Sequence, residues 1–355
     1  MTRRQIDKGQ IVMSQRFSIA LSGMCGLLMT AVPVAAQSTP EWSRPPQRAE
    51  WRQQFRDARQ GPEDTERLSR TITVGRGGSL ELSNISGDIV VSGGGGDEMT
   101  IDAVKHARSR DGSAKQLLSD LTIDIFERGG RVEVRTNYPR GSGSHSAWVD
   151  YTVKVPNEAG VSLRTISGDV RVTNVQGEIR VESVSGDVYA SGVPRLALAK
   201  SVSGDVDVSG AASEGELTVS TVSGGLVGKG LRARSVAANT VSGDLILTDV
   251  SCDRAVVHSV SGDMEYTGTI ARNGRYELNS HSGDVRFTAG QGTGFEVDAT
   301  SFSGSVRADL PLNLEARDDD RWSRHESRSI RGTVGDGSAV IEISTFSGDI
   351  TIAKR

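Results

Sequence analysis

Two cysteines, nine prolines, five histidines and 5% aromatic residues in a chain of 355 leave several architectures without their raw material. Cys25 lies in mid-run of an apolar stretch behind Met24, which departs from a lipobox. Removal of that stretch leaves Cys252 alone, so no intramolecular disulfide forms and stability comes from packing and ladder hydrogen bonds. A lone thiol in an oxidising compartment is expected to be buried. So few aromatics exclude a globule cored with Phe and Trp, and leave few rings to stack against sugars. The five histidines are scattered, with no Ser-His-Asp order and no metal-ligand spacing. Excess positive charge is also absent. The formal net charge is −4, and without the +3 carried by residues 1–36 it becomes −7, which argues against nucleic acid as a partner.

A long unbroken hydrophobic run is missing too. Ile19 to Val34 is interrupted by Ser22, Gly23, Gly26 and Pro33, so it makes a poor membrane span and a good export signal. Arg16 supplies the basic flank and Val34-Ala35-Ala36 a small-residue cleavage site before Gln37, with Met13 an alternative start. The expectation is a signal peptide over 1–36 and no transmembrane helix in the mature chain.

What the chain has is glycine, 42 residues of it, and a repeat. The tripeptide Ser-Gly-Asp, or a close variant, occurs ten times, at Gly87, Gly168, Gly186, Gly204, Gly224, Gly243, Gly262, Gly283, Gly304 and Gly348. From Gly168 to Gly304 the steps are 18, 18, 20, 19, 19, 21 and 21 residues, the length of one coil of a β-solenoid. The fold class expected is all-β, a parallel β-solenoid with coils of about 18–21 residues, plus one short helix in an N-terminal insertion.

Aligned on the glycine, apolar residues recur two and four positions after it and five and seven before it. The column two before it is also apolar: Ile85, Ile166, Val184, Val202, Val222, Val241, Val260, His281, Phe302 and Phe346. Alternation at period 2 around a fixed glycine is the pattern of short strands with one buried face. All these columns are read as core, which makes His281 a buried histidine. Three before the glycine stands a polar column, Asn84, Thr165, Ser183, Ser201, Thr221, Thr240, Ser259, Ser280, Ser301 and Thr345. Both it and the column at minus two can face inward only if the strand turns a corner between them, with the hydroxyls bonding freed backbone groups.

The glycine suits positive φ and its Ser and Asp neighbours suit local turn hydrogen bonds, so turn chemistry explains the motif without a ligand. The sharper alternative is a calcium row of Asp169, Asp187, Asp205, Asp244, Asp263 and Asp284, with Asp88 and Asp349 beyond it. Gly225 and Ser305 interrupt that row, and the Gly-Gly-x-Gly-x-Asp spacing of calcium-binding nonapeptide repeats is absent. No other cofactor is indicated.

Residues 37–70, rich in Pro, Arg, Gln and Glu, read as a flexible linker, and 71–355 as the repeat domain. Within it, 100–155 is an irregular segment with a helix around Ala114–Leu121 and strands near Leu121–Glu127, Arg131–Thr136 and Trp148–Val155. A charged loop spans 314–333; its Asp318, Asp319, Asp320, Trp322 and His325 are candidates for a binding loop. Uncapped terminal coils would expose strand edges and allow oligomerisation.

The run Val153-Lys154-Val155-Pro156, then Leu163-Arg164-Thr165-Ile166-Ser167-Gly168-Asp169-Val170, Val175-Gln176-Gly177-Glu178-Ile179 and Ser183-Val184-Ser185-Gly186-Asp187-Val188, resembles the bacterial β-strand-repeat family of unknown function regarded as a candidate adhesin domain. Gly335-Asp336-Gly337 followed by Ile341 to Ile350 resembles that family's closing coil, so the likeness covers about 71–355. The resemblance implies the solenoid and an exported or envelope location, in the periplasm, at the outer membrane or on the surface. It carries no catalytic or ligand residues.

The function expected is therefore a non-catalytic envelope or surface scaffold for adhesion or macromolecular binding, its partner a glycan or protein. Two other readings stand beside it. One is a carbohydrate-active β-helix lyase or hydrolase, for which pairs such as Asp205 and Asp207 would matter only beside a groove. The other is a regulatory partner in envelope stress.

Overall fold

The computed structural model describes residues 63–94, 96–109, 113–138, 147–290, 294–314 and 328–354. They form a nearly all-β structure in which every strand joins one large, mostly parallel sheet, with the one short helix at Ala114–Asp120. The stretch expected to be a signal peptide, 1–36, and the expected loop residues Asp318, Asp319, Asp320, Trp322 and His325 lie outside the described residues.

Each repeat contributes one strand before its Ser-Gly-Asp and one after it. The strands before it, beginning Gly160–Ser167, Ile179–Ser185 and Leu196–Lys200, pair in parallel with one another. Those after it, Val170–Thr173, Val188–Ser191, Val206–Ser209 and Leu226–Lys229, do the same. The register equals the motif spacing, as with Thr165 opposite Ser183 and Val170 opposite Val188. Like residues therefore stack on like, about 4.8 Å apart. In the later repeats the strands fuse into the long Leu245–Ser261 and Met264–Ser282.

The core consists of the columns at minus seven, minus five, plus two and plus four. In one repeat these are Ile179, Val181, Val188 and Ala190, all buried. Toward the C-terminal end it holds the large rings, Tyr266 stacked on Phe287 at 5.3 Å and Tyr276 edge-on to both. Cys252 is buried there, and burial pushes its thiol up to about 11.

The polar column at minus three is buried as well, and four of its hydroxyls donate to a glycine carbonyl of the neighbouring repeat. Ser201 reaches Gly186 O at 2.9 Å, Thr221 Gly204 O at 2.9 Å, Ser301 Gly348 O at 2.9 Å and Thr345 Gly283 O at 3.5 Å. Asn84 donates to Val149 O, while Thr165, Ser183, Thr240, Ser259 and Ser280 keep buried hydroxyls without a partner among the described residues.

Strict alternation simply continues from minus three to minus two, and this overturns one expectation: the column at minus two faces solvent. The corner comes later, at the glycine. Gly186 has φ +141°, and a Cβ there would stand 2.2 Å from the carbonyl oxygen of Gly168. Positive φ and the approach of the preceding repeat both require glycine.

The ends are closed by antiparallel strands, contrary to the expectation of uncapped coils. Glu98–Arg108 pairs with Ala147–Pro156, and Glu63–Thr73 covers Glu98–Arg108. That outer strand begins eight residues inside the stretch expected to be linker, and its charges Glu63, Asp64, Glu66, Arg67 and Arg70 protect an edge. The described residues of 100–155 are accordingly regular. Its strands Thr122–Arg128, Arg131–Asn137 and Ala147–Pro156 lie where alternation placed them, and Ala114 and Leu118 seat the helix.

At the other end the chain doubles back. Ser329–Val334, partly inside the expected charged loop, pairs antiparallel with Phe295–Ser303. Ala339–Ser347 then inserts between Met264–Ser282 and Phe295–Ser303, parallel to both. In space the last repeats thus run Gly283, Gly348, Gly304.

Candidate binding face

Three residue rows run along the outside of the stack near the corner. The first is the column at minus two, in spatial order Ile85, Ile166, Val184, Val202, Val222, Val241, Val260, His281, Phe346 and Phe302. Exposure among its large apolar members runs from 39% at Val222 to 65% at Phe302, with Ile85 and Val202 half-buried. His281, expected in the core, is exposed. It stacks on Phe346 at 5.1 Å, and Phe346 on Phe302 at 4.8 Å, so the row ends in three piled rings. A continuous apolar row on the surface of a folded chain marks an interaction site far more often than scattered exposed residues do.

The second row is the aspartates, and its geometry is that of a hydrogen-bond ladder. Oδ1 of each accepts the backbone N–H of the matching residue in the next repeat: Asp88 from Asp169 (2.9 Å), Asp169 from Asp187 (2.9 Å), Asp187 from Asp205 (2.8 Å) and Asp205 from Gly225 (2.7 Å). It resumes with Asp244 from Asp263, Asp263 from Asp284, Asp284 from Asp349 and Asp349 from Ser305, at 2.8–3.0 Å. Asp150 starts it by accepting from Asp88 at 2.9 Å. Gly225 leaves the Asp244 N–H without this partner. Ser305 stands in the last repeat of the stack, where its hydroxyl also donates to Asp349. Those N–H and O–H donors hold the Asp349 carboxyl below the usual carboxylate range. Among the described residues no group of three or more His, Cys, Asp or Glu is arranged to hold a metal ion.

The third row lies two residues upstream of the apolar one, on the same face: Arg135, Ser83, Arg164, Glu182 and Lys200, then Ser220, Asn239 and His258. At the N-terminal end a cleft of about 550 Å³ lies along these rows, lined by Ile85, Ile166, Val184, Val202, Arg135, Arg164 and Lys200 among others. Neither Asp205 nor Asp207 lines it.

On the antiparallel end, His106 lies between two carboxylates, its Nδ1 2.7 Å from Glu63 and its Nε2 3.2 Å from Asp150, and its ring stacks on Trp148 at 4.9 Å. The hydrogen bond from His106 is the main reason the Glu63 carboxyl titrates low. Arg108 pairs with Glu63 and covers Trp148 at 5.2 Å. Sequence reading missed this cluster, because antiparallel pairing across unrelated segments brings it together. It also missed the cleft. Arg164 and Lys200 share a repeat position that alignment could have shown, whereas Arg135 belongs to a strand outside the repeat.

A family model described as Toastrack DUF4097 matches residues 62–227 and again 197–353. No curated protein matches the chain. Among solved structures, it is similar to a candidate adhesin from Bacteroides fragilis, with 11% identity, TM-score 0.39, and 82% of this chain and 97% of that one covered. A candidate adhesin from Parabacteroides merdae has 10% identity, TM-score 0.34 and coverage of 81% and 96%. A candidate lipid-binding protein from Parabacteroides distasonis has 12% identity, TM-score 0.32 and coverage of 81% and 96%. No functional argument follows from likenesses this remote. No helix among the described residues is long and apolar enough to cross a membrane.

Proposed function

The chain belongs to the Toastrack DUF4097 family, and from that premise we propose that it is a non-catalytic scaffold of the exported cell envelope, its ladders wound as a β-solenoid, that binds an envelope glycan or protein along its exposed apolar row. The observation that carries this is the row itself. Ten successive repeats place an apolar or aromatic side chain at one outward position, where soluble strands ordinarily carry polar residues. Its regular spacing suits an extended partner that meets one side chain per repeat. The non-catalytic part is supported by the apolar and aspartate rows, which repeat like residues along the stack, the aspartates each bonding the next repeat's backbone. The broken apolar run at Ile19–Val34 and the cleavage site before Gln37 support export.

Cosedimentation of residues 37–355 with isolated bacterial envelopes tests the reading. Wild type is expected to pellet with them, and the triple variant Val222→Gln, Val260→Gln, Phe302→Ser to remain in solution with an unchanged melting temperature. Equal pelleting of both would remove the row from the binding face. Protease or glycosidase treatment of the envelopes then separates a protein partner from a glycan.

A further inference from the structure

The N-terminal third of the apolar row differs from the rest in what lies beside it. From Val222 onward the neighbouring upstream positions carry no Lys, Arg, Asp or Glu: Ser220 and Asn239, then His258 and Asn279. Beside Ile85, Ile166, Val184 and Val202 they include Arg164, Lys200 and, on the strand beyond, Arg135. Here the rows line an open cleft of about 550 Å³, within the 300–1,000 Å³ typical of sites for small ligands.

The charge of this cleft is unbalanced. Three cations line it against one acid, Glu182, which stands a loose 3.8 Å from Arg164. Arg135 pairs with Glu133 on its own strand, and Lys200 has no ion pair among the described residues. The apolar side chains belong to four adjacent repeats, Ile166 and Val184 within their strands and Ile85 and Val202 just beyond theirs, spanning about 14 Å at the usual strand spacing, the reach of a medium-length acyl chain. Their exposed surface is flat and aliphatic, with Ile166 and Val184 about half exposed. The cations lie along one side of it, Arg164 and Lys200 in the same repeats and Arg135 on the strand beyond them. A row of hydrocarbon beside a row of positive charge is the complement of one kind of molecule, with a hydrocarbon tail and an anionic head.

We propose that this cleft binds a single-chain anionic amphiphile, its tail laid along Ile85, Ile166, Val184 and Val202 and its carboxylate or phosphate head held by Arg164, Lys200 or Arg135. Arg suits such a head because its planar fork meets two oxygens at once, while Lys200 adds a mobile point charge. The proposal rests on the reading of the apolar row as a binding face, and gives its N-terminal end a separate ligand from the partner met by the ring-bearing end.

Titration calorimetry with residues 37–355 tests it, each probe kept below its micelle concentration. Laurate and dodecyl phosphate are the two head-group probes, dodecyltrimethylammonium the cationic control and inorganic phosphate the tail-less one. Both anionic probes are expected to bind, and to bind at least tenfold more tightly than either control. Arg164→Glu with Lys200→Glu should weaken laurate at least tenfold. Ile166→Gln with Val184→Gln should do the same, and serves as the second variant should the charge reversal fail to fold. Equal binding of the cationic control, or a laurate affinity unmoved by folded variants of both kinds, overturns the proposal. So does uptake of phosphatidylglycerol vesicles with no binding of the monomeric probes, since that is adsorption to a lipid surface. Phe302→Ser with Phe346→Ser should leave laurate binding unchanged while abolishing envelope pelleting, so that the two readings fail separately.

Discussion

At the scale of the residue, direction matters more than hydrophobicity. Val202 and Val206 are the same residue four positions apart, yet Val202 faces out beside Lys200 and Val206 is buried in the core. Val206→Asp strands a carboxylate among apolar neighbours and should cost about 3–5 kcal/mol. Val202→Asp should cost less than about 1 kcal/mol. Urea unfolding of the two variants measures the difference, and equal losses would put Val202 back in the core. The motif glycine is equally sensitive. Gly186→Ala forces a side chain into a positive φ and against the Gly168 carbonyl, and should lose about 1–3 kcal/mol or more in the same assay. Asp349 carries a pH dependence. Its folded pKa is lowered, so its contribution is complete above the unfolded value of about 3.9 and disappears as pH falls through the folded one. The melting temperature of wild type should exceed that of Asp349→Ala at pH 7, and the gap should close by pH 2 to 3. A gap that widened toward acid would reverse the sign of the argument.

At the scale of the element, the C-terminal strands behave as a wedge. Ala339–Ser347 and Ile350–Lys354 fill the space between two repeats that the chain has already laid down, bonding to both sides. Truncation after Gly337 therefore separates the Phe295–Ser303 repeat from the stack and bares the edge of Met264–Ser282. Such a chain should melt well below wild type and aggregate through that edge, as light scattering would report. A soluble, monomeric truncation with an unchanged melt would mean that the last repeat packs without its wedge. Individual strands were legible in the sequence wherever alternation was clean, including Arg131–Asn137 and Ala147–Pro156. Their partners were not, because antiparallel pairing of Glu98–Arg108 with Ala147–Pro156 follows no repeat spacing.

At the scale of the whole molecule, the aspartate ladder runs from Asp150 to Ser305 along the stack, with one gap at Gly225. Each carboxylate already has one oxygen committed to the next repeat's backbone, and charge-assisted bonds of this kind offset the repulsion between neighbours. Excess calcium is accordingly expected to leave the melting temperature of residues 37–355 where a chelator leaves it. A rise of many degrees, which ligation of the native state would cause by mass action, would replace the ladder reading with a metal site.

The sequence by itself determined the strand-repeat architecture, the positive φ of nearly all the repeat glycines and the buried columns at minus seven, minus five, minus three, plus two and plus four, because these depend on local alternation and on φ, which travel with the residue. It determined that Cys252 is the single cysteine of residues 37–355, and the structure buries it. Only the tertiary structure decided which way the apolar column at minus two faces, since an apolar residue is compatible with either side of a strand until the neighbouring hydroxyl column has claimed the interior. Only it decided that the Gly348 repeat enters between Gly283 and Gly304, that antiparallel strands close both ends, and that Arg135 joins Arg164 and Lys200 beside a hydrocarbon floor. Those are contacts between segments far apart in the chain, and no local pattern encodes them.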